Sequence, residues 1–69
     1  MKVDSVVIKL RAGYKLYGLD TLSFHEADYP ELHYMAKEGQ HIVNFRASDG
    51  RREGKSYPMS DVAVVHTVL

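Results

Sequence analysis

Glycine and proline punctuate this chain so often that no long element fits between them. Gly13, Gly18, Pro30, Gly39, Gly50, Gly54 and Pro58 leave turn signals roughly every eight to twelve residues, the rhythm of short strands in a small barrel or sandwich. The first stretch between them is extended. Val6, Ile8 and Leu10 alternate with Val7, Lys9 and Arg11, the period-two pattern of a half-buried strand. Ala12-Gly13 then predicts a tight hairpin, after which Tyr14, Leu16 and Leu19 continue an apolar face in a second strand, with Gly18 at a bulge or bend.

The segment "DYPELHYMAKEG" supports two readings. As a helix over 30–38, Asp28 is the N-cap, Glu31 completes a capping box, Pro30 stands in the first turn and Gly39 follows the end. Leu32, Met35 and Ala36 then share a face, and the fold is α+β. As a hairpin turning at Glu38-Gly39, it pairs Ala36 with His41, Tyr34 with Val43, Leu32 with Phe45 and Glu31 with Arg46. The hairpin accounts for two strands at once and is the expectation adopted.

His41 to Ala47 continues as strand, and "SDGRREGKS" has the composition of an exposed hairpin tip. A strand returns at Lys55 to Tyr57 and stops at Pro58, which has no N–H for a ladder. "PMSD" predicts a one-turn connector into a last strand, Val62 to Val68. The expected fold is all-β, five or six short strands curled into one small barrel domain spanning residues 1–69, whose closure would hide the sheet edges.

A chain of 69 residues forms one domain and buries only about 60% of the surface its unfolded form exposes. It has no cysteine, so packing or self-association must stabilise it, and a reducing, cytoplasmic setting is the expectation. Its apolar runs fall far short of a membrane span, and Met1 to Asp4 lacks the apolar block of a secretion signal. Nine basic residues balance nine acidic ones, which argues against coating nucleic acid by bulk charge.

Leu10, Gly13 and Gly18 in "LRAGYKLYG" reproduce the L-x-x-G-x-x-x-x-G spacing that opens the Sm-like fold of the LSm and Hfq proteins, and "YPMSDVAVV" resembles its second motif. The resemblance covers two short segments and extends to SH3-type small barrels in general. It implies a strongly bent barrel that joins others through edge strands into rings and binds single-stranded RNA. None of the family's RNA-contacting residues has a counterpart here, so the resemblance carries over the fold and no contact residue.

Four histidines, His25, His33, His41 and His66, have no metal-ligand spacing, and the hairpin places His33 and His41 on opposite faces. Ser23 with His25, or Ser60 with Asp61 and His66, supplies nucleophile and base types without an oxyanion-hole motif. "EGKS" lacks the earlier glycine and following helix of a phosphate-binding loop. No cofactor, metal or small-molecule substrate is indicated. The candidate binding surface is basic: Arg51, Arg52 and Lys55 on the hairpin tip, Arg46 leading into it, and Tyr57 and Tyr34 as stacking faces. Asp49 and Glu53 dilute that charge, and five tyrosines without a tryptophan suit a protein interface or the rim of a shallow core.

These features together favour a non-enzymatic binding module acting through protein–protein contacts or self-association, a compact accessory or inhibitory protein of the kind viruses and mobile elements encode. The alternative is an Sm-like or SH3-like homo-oligomer that binds single-stranded RNA through the basic tip. Catalysis would require subunits to assemble a shared pocket around a symmetry axis.

Overall fold

The computed structural model describes all residues, Met1–Leu69. The chain is all-β: β1 (Ser5–Leu10), β2 (Thr21–His25), β3 (His33–Lys37), β4 (Gln40–Arg46), β5 (Arg52–Pro58), one 3₁₀ turn (Met59–Asp61) and β6 (Val62–Val68). They form two three-stranded antiparallel sheets, ordered β2-β1-β6 and β3-β4-β5. β1 is central because its alternation is the strongest: Val6, Ile8 and Leu10 are buried, and Leu22 and Phe24 of β2 sit on the same face. β4 is central in the other sheet, turning Val43 and Phe45 inward.

The core is ten residues, all but one of them aliphatic or phenylalanine, and no polar side chain of another kind is buried. Tyr57 is the exception, its ring entering the core from β5 without leaving an unpartnered hydroxyl buried. Val3 and Leu32 enter from outside the strands. The Val3 N–H donates to the Leu32 carbonyl (3.1 Å) and Lys2 bridges His33, so residues 1–3 run along the edge of β3 and tie the sheets together. The outer edges of β5 and β6 stay unpaired. The expected full closure of a barrel is therefore not what forms; two sheets face each other with open edges.

The helix over 30–38 does not form and the hairpin does, but its ladder stops at His33 opposite Asn44, so Leu32 and Phe45 are not paired. Ala36 opposes His41 and Tyr34 opposes Val43, with Glu38 (φ 52) and Gly39 (φ 75) as the two turn residues. Positive φ at both centres is the signature of a primed hairpin turn, whose twist matches the strands. The 3₁₀ turn and final strand also form where "PMSD" and Val62 to Val68 place them.

The second strand requires correction. Tyr14 to Leu19 is a loop, and the strand that pairs β1 is Thr21–His25. Gly18 is no bulge. It is the second central residue of a tight turn in which Leu16 and Leu19 exchange hydrogen bonds of 2.9 and 2.8 Å, and Tyr17 takes φ 54 and Gly18 φ 75. Leu19, expected on the buried face, is 53% exposed. The tip of the β4–β5 hairpin is shorter than "SDGRREGKS": β5 already begins at Arg52, so Arg52 and Lys55 are strand residues.

Candidate protein-binding surface

Strand alternation divides the basic residues. Arg46 faces Arg52 across the β4–β5 ladder, and Asn44 and His33 lie on that same outer face. Between the two arginines stands Glu31, held by a φ of 56 at the end of the 26–32 corner. Arg46 grips Glu31 with both Nε and Nη2, and its Nη1 donates to the Gly50 carbonyl at 2.6 Å. Arg52 donates to the Asn44 side chain and lies 4.0 Å from Glu31. Nδ1 of His33 donates to the Glu31 backbone carbonyl at 2.8 Å. The Arg46 hydrogen bond is the main cause that holds the Glu31 carboxyl below its ordinary 4.5, and the same pair raises Arg46. A forked guanidinium–carboxylate contact has both geometry and charge in its favour. The sequence-based pairing of Glu31 with Arg46 is thus present, as a staple between the corner and β4.

The residues expected to form the basic surface are divided: Arg46 and Arg52 meet on one face, and the others lie apart from them. Arg51 stands alone at the tip beside Asp49, 3.9 Å away, with its backbone N–H bound to the Asp49 carboxylate. Lys55 and Tyr57 point to the inner side of the sheet, opposite Arg46 and Arg52. Tyr57 is only 8% exposed, and burial, with smaller effects of the phenols of Tyr17 and Tyr29, raises its pKa. Tyr34 shares a 2.7 Å hydrogen bond with Nδ1 of His41 and stacks on that ring, so it too is committed internally, and burial raises it. Neither Tyr34 nor Tyr57 shares the face of Arg46 and Arg52.

Two other features are available to a partner, one of them a member of the tyrosine set expected to suit an interface. The first is Tyr17, 87% exposed at the apex of the 11–20 loop, beside Leu19. The second is an open groove of about 450 Å³ between the 28–30 corner and the start of the β4–β5 turn. Asp28 and Tyr29 N–H groups both donate to the His25 carbonyl, and Arg46 N–H reaches Pro30. These bonds fold the corner over the end of β4. Tyr29 then lies edge-on to both Phe24 (5.1 Å) and Phe45 (4.7 Å), an arrangement worth about 0.5–1.5 kcal/mol per pair beyond area burial. Asp28 and Glu53 stand at its rim with Ser48, and neither acid has an ion-pair partner. Of the residues nominated from sequence, only Arg46 lines this groove.

No three histidine, aspartate or glutamate side chains converge as metal ligands, and no helix is long and apolar enough to cross a membrane. The local signal for the groove was the tripeptide Asp28-Tyr29-Pro30, in which an aromatic residue sits between two turn formers. Comparison with protein-family models, curated proteins and solved structures finds no match to this chain.

Proposed function

We propose that this protein is a non-enzymatic binding module, a small cytoplasmic accessory or inhibitory protein that acts through protein–protein contacts. Its scaffold is read as an open relative of the SH3/Sm-like barrel, in which β2 and β3 are the two halves of one bent strand, broken at 26–32. The order β6-β1-β2 followed by β3-β4-β5 supports that reading.

The observation that carries the function is Tyr17. A bulky residue at positive φ is strained, and such strain concentrates at ligand clamps and active sites. Here it holds a ring almost wholly in solvent, where it adds little to the fold's own packing. Exposed tyrosines on rigid turns are efficient anchors, because they bring large contact area at small entropic cost.

The test is crosslinking and affinity capture from the native host with nuclease-treated extract, comparing the wild type with Tyr17→Asn. The expected result is a specific protein partner recovered by the wild type and lost by the variant, with the fold intact. Capture indifferent to Tyr17 would overturn the reading.

A second reading, a homo-oligomer that binds single-stranded RNA, draws on the unpaired edge of β6 with Val64, Val68 and Leu69 exposed. Strand addition between subunits covers such an edge. Light scattering that shows a stable ring, together with salt-sensitive RNA binding weakened by Arg51→Ala with Arg52→Ala, favours this reading over the first.

A further inference from the structure

We propose that the groove between the 28–30 corner and the β4–β5 turn receives a cationic side chain, lysine or arginine, from the partner protein. The inference rests on the protein-binding reading and adds the chemistry of one contact.

The groove's floor is aromatic. Tyr29 and Phe45 lie there, with Tyr29 braced by Phe24 behind it. Its rim is acidic, since Asp28 and Glu53 are exposed and have no ion-pair partner within the chain. The nearest cation is already engaged: Arg46 lines the groove, but its guanidinium is bound to Glu31 and the Gly50 carbonyl. Arg46 therefore leaves the two free carboxylates unneutralised.

An aromatic floor under two unpaired carboxylates selects for a particular guest. A neutral apolar side chain would cover the rings and desolvate the acids without a partner. An anion would be repelled. A lysine or arginine lays its methylenes on the rings and brings its charge to the rim, adding ring–cation attraction to the ion pairs. At about 450 Å³ and open on one side, the groove suits one long side chain entering from another surface. A standard interface packs such an anchor at its centre.

The test is a titration of the ¹⁵N-labelled full chain with acetyl-arginine amide, acetyl-lysine amide and the uncharged acetyl-norleucine amide, followed by amide shifts. The first two should move the resonances of 28–30 and 45–48, and norleucine should not. Asp28→Asn with Glu53→Gln, both at exposed positions, should keep the dispersed spectrum and weaken cation binding about tenfold. Shifts scattered over other acids such as Asp4 and Asp20, equal binding of norleucine, or an unchanged double variant would each overturn the proposal. Its failure is separable from failure of the binding-module reading. Tyr17-dependent partner capture that persists without cation binding removes only the groove, and cation binding without such capture removes only the Tyr17 reading.

Discussion

At Tyr17 an aromatic residue holds a φ of 54 that asparagine or glycine holds with less strain. Since the ring is 87% exposed, removing it gives up almost no packing. Tyr17→Asn is therefore expected to stabilise the fold by about 0.5–1 kcal/mol, read as a rise of a few degrees in Tm. A fall in Tm would mean that the ring supports the loop. Glu31 has a comparable φ of 56 but spends it internally, on the contact with Arg46. Its folded pKa lies below the ordinary 4.5, so the unfolded chain takes up the proton first as pH falls. The contribution is complete above about pH 4.5 and is lost as pH drops through the folded value. Urea midpoints of the wild type and Glu31→Gln should accordingly differ at pH 7 and converge toward pH 3. A gap that stays constant across that range would show that the carboxylate charge is irrelevant.

Elements in this fold differ in how much of the core they carry. β1 pairs on both sides and supplies three buried residues, whereas β6 pairs on one side and supplies none. Ile8→Ala, at a site with no exposure, should cost about 2–5 kcal/mol, enough to unfold much of a domain this small. Val64→Ala, on a residue 55% exposed, should stay within about 0.5 kcal/mol. Denaturant melts of the two variants check the contrast. The same asymmetry governed what was legible in the sequence. β1 and the β3–β4 hairpin could be read because alternation and a two-residue turn agreed there, down to the register of Tyr34 against Val43. β2 was misplaced because Gly13 and Gly18 each suit a turn, and no local feature says that both lie in one loop before Thr21. The division of the basic residues between two faces was hidden for a related reason. Starting β5 at Arg52 rather than Lys55 made Arg52 a strand residue facing Arg46, with Lys55 on the other face of the sheet. Asp28-Tyr29-Pro30 marked a corner, but the groove itself could not be read because its walls, 28–30 and 45–48, meet only when that corner folds over the end of β4.

For the whole molecule, two small sheets share a core in which Tyr57 is the one buried side chain with a titratable group. Burial is the first cause of its raised pKa, and the phenols of Tyr17 and Tyr29 add to it. The linkage follows from the direction of the shift. Above the ordinary 10.0 the unfolded chain releases the Tyr57 proton while the folded chain retains it, so the folded state loses ground as pH rises. Stability from this residue is whole below about pH 10 and declines as pH climbs through the folded value. Tyr57→Phe keeps the ring, removes the proton and leaves no hydrogen bond broken, since the hydroxyl makes none within the chain. Its neutral-pH stability should match the wild type, and its alkaline loss should be shallower, with Tyr34, also raised by burial, accounting for part of the slope that remains. Denaturant midpoints taken between pH 8 and 11 measure this. Parallel curves for the two proteins would mean that Tyr57 ionises as freely folded as unfolded.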